Sequence, residues 1–207
     1  MDCWATLEVV TVSTASWTRN KDFDKFGFLA VKQICDPKSL HCDVPSKRGQ
    51  YSYYNNDPNS YSHNPVEAQV NDSVSRYWFP QYRPMHTSIR LKLEKILGRK
   101  LYNTYYYDRF YFPGQELVKH VDRDACEISI TVHCGTTLKG KDADWPIWIE
   151  TPEGIAKSTV LRPGEGMIYK GCERPHWRDP MPKPKQWFGN TEYYYHQIFF
   201  HFLHIAQ

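Results

Sequence analysis

After Gly98 the chain breaks into short runs of aromatic and aliphatic residues, at 101–112, 127–133, 145–150, 159–161, 166–169 and 193–205, divided by Pro, Gly and Asp turns. Most of these runs are shorter than an ordinary helix, and their division by turn residues suggests a β-sandwich or barrel. The aromatic share, 15% with fifteen Tyr, suits that reading, because flat side chains cover pleated, half-buried surfaces well. At 207 residues the chain is long enough for one good core and short for two, so a single domain is expected over 1–207.

The N-terminal part, 1–84, reads as supporting elements for a catalytic core at 85–207. Runs at 7–12 and 28–31 are strand-like, and 46–65 is a long Ser/Asn/Asp/Pro/Tyr-rich loop. Val66, Val70 and Val74 recur every four residues, and Ile89, Leu93, Ile96 and Leu97 repeat the pattern before Gly98, where a C-cap glycine belongs. Two amphipathic helices buttressing a sheet from outside are expected, in a mainly β (α+β) fold.

The net charge of +3 is spread along the chain, so no nucleic-acid footprint is demanded and a nucleic-acid partner is not expected. The start, Met1-Asp2-Cys3-Trp4, carries an acid where a signal peptide wants basic residues, and no apolar run approaches a membrane span. A cytoplasmic protein with reduced thiols and no membrane partner is expected. Cys35, His41 and Cys42 lack the second ligand pair that a zinc site needs.

Chemistry concentrates in VKHVDRDACE (118–127). In a strand, residues i and i+2 share a face, so His120 and Asp122 present a nitrogen and an oxygen ligand side by side. A third ligand from another strand, chosen among His133, His176, His196, His201 and His204, would complete the two-histidine, one-carboxylate face that suits non-haem Fe(II). His176 is preferred: it follows a tight Pro-Gly-Glu-Gly reversal and sits in Arg174-Pro175-His176-Trp177, where the proline keeps the chain out of a helix.

HVD at 120–122, LRPGEGMIYKGCERPHWRD at 161–179 and the aromatic last run YYYHQIFFHF at 193–202 together resemble the 2-oxoglutarate- and Fe(II)-dependent dioxygenases, in particular their prolyl 4-hydroxylase-like branch. The resemblance covers about 85–205. It implies a distorted double-stranded β-helix, a cupin-like jelly-roll, with Fe(II) held by His120, Asp122 and His176. It implies 2-oxoglutarate and O2 as cosubstrates, decarboxylation to succinate, and hydroxylation of an amino-acid side chain, prolyl in a peptide or protein being the first expectation and a small molecule the second. Related halogenases lack the carboxylate, so Asp122 implies hydroxylation.

The family often grips the far carboxylate of 2-oxoglutarate with an Arg or Lys about ten residues after the distal histidine, and this chain departs from that pattern. After Arg178 no arginine follows, and Lys183 and Lys185 lie in a Pro-rich stretch. By strand parity Arg109 shares a face with Tyr105, Tyr107 and Tyr111, and Tyr111 lies nine residues before His120, where the resemblance places a cosubstrate-binding tyrosine. Arg109 is therefore the expected anchor, with Lys185 the alternative. In the last strand Gln197 and His201 are expected to line the cavity and Ile198, Phe200 and Phe202 to pack on the helices. Thr131, sharing a face with Ser129, is expected to look inward.

Overall fold

The structure, a computed structural model, describes residues 18–40, 57–184 and 193–204. The expected strand at 7–12, the first half of the 46–65 loop, His41, Cys42 and Lys185 lie outside the described residues. Two α-helices, α1 (Lys21–Phe26) and α2 (Arg83–Leu97), accompany eleven strands. These are β1 (Phe28–Val31), β2 (Ser62–Asn64), β3 (Ser73–Tyr77), β4 (Leu101–Tyr111), β5 (Leu117–His120), β6 (Ile128–Thr136), β7 (Ile147–Glu150), β8 (Ala156–Thr159), β9 (Gly166–Tyr169), β10 (His176–Arg178) and β11 (Tyr195–His204).

The strands form a seven-stranded sheet in the order β1-β9-β6-β11-β4-β3-β2 and a four-stranded sheet in the order β5-β10-β7-β8, all pairs antiparallel. Side chains bridge the two: Ile147 and Ile149 of the small sheet pack with Phe28, Met167 and Tyr169 of the large one. Leu117 and Trp145 pack with Tyr107, Tyr111, Tyr195 and Phe199. Side chains from both inner faces filling one layer define a jelly-roll.

On the outer face of the large sheet, Ile89, Leu93, Ile96 and Leu97 of α2 bury against Leu101, Tyr106, Ile198, Phe200 and Phe202. This is the apolar stripe that the sequence predicts, and burying each such side chain stabilises by roughly 1.5–3 kcal/mol. Gly98 ends α2 at φ 64°, and a Cβ there would fall 2.3 Å from the Thr18 carbonyl oxygen, so only glycine fits.

The other expected helix is absent. Val66 is exposed in a turn region, Val70 enters the inter-sheet core, and Val74 lies in β3. Asp72, at φ 60°, reverses the chain into that strand. Among the described residues the helix before β1 is the six-residue α1, capped by the Asn20 side chain, which accepts from the Phe23 N–H at 3.0 Å. Part of the expected loop is also ordered into β2, and β8 starts earlier than the run at 159–161 suggests. No helix among the described residues is long and apolar enough to cross a membrane.

Candidate active site

β5 and β10 run antiparallel with His120 and His176 as direct partners, and their rings lie 4.4 Å apart between centroids. Asp122 is beyond the end of β5, not within it as parity assumed. Its N–H donates to the Gly171 carbonyl at 2.9 Å, which turns the carboxylate back toward the pair. Asp122 Oδ1 stands 3.5 Å from His120 Nε2 and 3.6 Å from His176 Nε2. Each Nδ1 faces a backbone carbonyl, Val118 O at 2.7 Å for His120 and Arg174 O at 3.0 Å for His176. Since a carbonyl only accepts, both rings hold a proton on Nδ1 and turn Nε2 toward the carboxylate.

Nε2 of both rings and Asp122 Oδ1 thus converge as a set of potential ligand atoms, with Nδ1 of each ring already engaged by a carbonyl. Burial pushes His176 down to about 4, so its imidazole is neutral near pH 7. Burial alone would raise Asp122, but the surrounding His120, His176 and His201 outweigh it and leave the carboxyl below its ordinary value. The ligand atoms lie within 4.8 Å of one another, a span that a divalent ion can draw together.

The other candidate third ligands point elsewhere. His196 is on the opposite face of β11, its Nε2 2.8 Å from Asp108, whose carboxylate also takes Arg76 Nε at 3.1 Å and the Tyr61 hydroxyl at 2.7 Å. His133 stacks on Tyr195, its Nδ1 lying 3.1 Å from the Gln197 amide nitrogen and 3.2 Å from the His196 carbonyl oxygen. His204 lies near Glu127. His201 does reach the site: its ring lies within the same 4.8 Å span of Asp122 and Cys126, with Nε2 buried and without a partner.

Beside the triad, Arg178 follows His176 by two residues and is buried with it. Its guanidinium packs over Trp145 and Tyr195, at 4.7 and 5.2 Å, and Nη1 donates to the Trp145 carbonyl at 2.8 Å. Nη2 has no partner, and among the described residues no carboxylate pairs with this cation. Burial accordingly lowers its pKa, against the opposing pull of Tyr195 and Tyr111. Tyr111 packs edge-on to the same Trp145, and its hydroxyl is likewise buried and unpartnered.

Arg109, the expected anchor, shares the face of Tyr107 and Tyr111 as parity required, but it is committed to other partners. Nε donates to Ser75 Oγ at 3.0 Å and Nη2 to Glu67 Oε2 at 2.6 Å, leaving Nη1. Burial would lower its pKa, and Tyr107, Tyr111 and Glu67 together turn the net shift upward. Thr131 and Gln197 face each other, the hydroxyl donating to the amide oxygen at 2.9 Å. Arg178 was not among the expected anchors of the cosubstrate. The signal was present: the spacing of two that paired His120 with Asp122 also pairs His176 with Arg178.

No family model and no curated protein sequence matches the chain. Solved structures do. The prolyl-4-hydroxylase of Pseudomonas putida superposes with TM-score 0.56 at 14% identity, over 87% of this chain and 95% of that one. An oxidoreductase of the 2OG-Fe(II) oxygenase family from Burkholderia pseudomallei gives 0.61 at 8% identity, over 94% and 93%. HygX from Streptomyces hygroscopicus, with nickel and 2-oxoglutarate bound, gives 0.57 at 8%, over 87% and 84%. The fold is that of the 2-oxoglutarate- and Fe(II)-dependent oxygenases. Structures of prolyl hydroxylases are among those that share it.

Proposed function

We propose that the chain is a 2-oxoglutarate- and Fe(II)-dependent dioxygenase that hydroxylates an amino-acid side chain, with a prolyl residue in a peptide or protein as its substrate. The observation that carries this reading is the pairing, on the short strand β10, of a metal-ligating imidazole with a buried arginine that lacks a counter-ion. A buried guanidinium with no carboxylate is costly unless an anionic ligand completes it.

The donor set fits the group. His120 and His176 would each offer Nε2 and Asp122 one oxygen, the two-histidine, one-carboxylate set that suits Fe(II) and leaves room for a cosubstrate. When bound, Fe(II) with 2-oxoglutarate and O2 supplies the oxidant for C–H hydroxylation, coupled to decarboxylation of the keto acid to succinate and CO2.

The protein's own part is binding, orientation and exclusion of water. Arg178 Nη2 and the Tyr111 hydroxyl would receive the far carboxylate, a charge-assisted contact that offsets its desolvation. Trp145, Tyr195 and Phe199, buried in one apolar cluster, would keep water from the reacting end. Near His201, which stacks on Tyr105, the rings of Tyr77 and Trp78, 42% and 46% exposed, stand beside Tyr107 and Tyr105, and Arg123 lies over the Tyr105 ring. Aromatic groups of this kind suit proline rings in an extended peptide.

A small-molecule substrate is the second reading, favoured by the likeness to HygX, whose structure has also been determined with hygromycin B bound. The test is a mass gain of one oxygen across a panel of proline-containing peptides and small amines, with stoichiometric succinate. Succinate with no peptide modified would move the assignment to a small molecule. No succinate with any candidate would leave a metal-binding jelly-roll.

A further inference from the structure

The two oxygens of Asp122 have different neighbours. Oδ1 faces the imidazoles of His120 and His176, at 3.5 and 3.6 Å. Oδ2 receives the Ser129 hydroxyl at 3.2 Å and lies against Gly171, where a Cβ would fall 2.5 Å away. Ser129 Oγ is in turn 2.8 Å from His201 Nδ1. The His201 ring is held from both ends of its own strand position: it stacks on Tyr105 at 4.5 Å and on Tyr107 at 5.8 Å, and its backbone carbonyl meets His86 Nε2 at 3.1 Å.

Counting protons fixes the direction of the chain. A carboxylate only accepts and a serine hydroxyl has one proton to give. Ser129 Oγ has two acceptors at 3.2 Å, Asp122 Oδ2 and the Cys126 carbonyl, and its single proton serves both when His201 Nδ1–H donates to Oγ. We propose that Ser129, oriented by His201, is a positioning residue that keeps Asp122 a one-oxygen ligand. A carboxylate free to rotate could present both oxygens to the ion and take a position that the keto acid or oxygen needs. Gly171 serves the same end from the other side, since no side chain there could leave Oδ2 in place.

This inference rests on the metal reading of the triad, and the experiment separates the two. Metal-free protein is titrated with Co(II), whose visible absorption reports coordination number, for wild type, Asp122→Ala, Ser129→Ala, His201→Phe and His201→Asn. Ser129→Ala and His201→Phe are expected to weaken Co(II) binding about 10–100-fold and to change the spectrum, the size of effect usual for groups that orient metal ligands. His201→Asn, which keeps an N–H donor, is expected to recover a good part of both. Unchanged affinity and spectrum in Ser129→Ala would overturn the proposal. If Ser129→Ala does not fold, equal behaviour of His201→Phe and His201→Asn would overturn it instead. Equal binding by wild type and Asp122→Ala would overturn the metal reading itself.

Discussion

Arg178 and Arg109 are both fully buried beside Tyr111, yet only Arg109 has a carboxylate partner, Glu67 at 2.6 Å. That asymmetry assigns the two cations different work. Arg109 ties β4 to the segment ahead of β3, and Arg178 is the cation that the proposed function offers to an incoming anion.

Replacement should therefore act on different observables. Arg178→Met is expected to weaken 2-oxoglutarate binding by roughly 2–5 kcal/mol, because one side of a buried charge pair is lost. It should leave the melting temperature unchanged or higher, since the unliganded protein sheds an uncompensated buried charge. Arg109→Met should lower the melting temperature, because Glu67 is stranded, while the metal still binds. Calorimetric titration of 2-oxoglutarate together with thermal unfolding checks both. Normal cosubstrate affinity in Arg178→Met would return the role to Arg109 or Lys185.

His120→Ala, Asp122→Ala and His176→Ala are each expected to abolish tight metal binding and, with it, 2-oxoglutarate turnover. His133→Ala and His204→Ala should keep the metal, since the structure directs both rings elsewhere. Metal content after dialysis distinguishes the two groups, and loss of metal in His204→Ala would show that the triad is wrongly composed.

Stability should fall with acid through buried histidines away from the metal. His86 is enclosed by Tyr106, Phe200 and Phe202, and burial pushes it down to about 4; His133 is pushed to about 3. In the unfolded chain both titrate near 6.5, so below that pH the unfolded state binds more protons. The contribution is full above about pH 6.5 and is lost as pH falls toward 4, on the order of 3 kcal/mol for His86. Unfolding midpoints measured from pH 7 to 4.5 should drop steeply in wild type and less steeply in His86→Phe. Parallel curves would contradict the assignment.

Trp78 holds φ 62° with a large side chain nearly half exposed, a backbone position that such residues occupy only when the surroundings impose it. Trp78→Ala is expected to raise the KM for a peptide substrate several-fold without changing 2-oxoglutarate affinity. An unaltered KM would show that the indole does not meet substrate.

Much of this architecture could be read before any coordinates. The strand runs after Gly98 are bounded by Pro and Gly, and α2 has both its stripe and its cap. The triad is legible because metal chemistry restricts ligands to a few residue types at a few spacings. Val66, Val70 and Val74 misled because a spacing of four fits period 2 as well as period 3.6, and the buried pair ended up in different parts of the core. For Arg109, parity chose the right face. Nothing local revealed Glu67, 42 residues away, as its partner. Arg178 could not be singled out for a different reason: in sequence it is one of a basic cluster with Arg174, Lys183 and Lys185, and only its burial between Trp145 and Tyr195 distinguishes it.

Anaerobic titration of metal-free protein with Fe(II) and then 2-oxoglutarate tests the central claim most directly, with both bound species counted by equilibrium dialysis. One Fe(II) per chain is predicted, followed by one 2-oxoglutarate whose binding requires both the metal and Arg178. Fe(II) binding that survives Asp122→Ala, or 2-oxoglutarate binding indifferent to the metal, would contradict it.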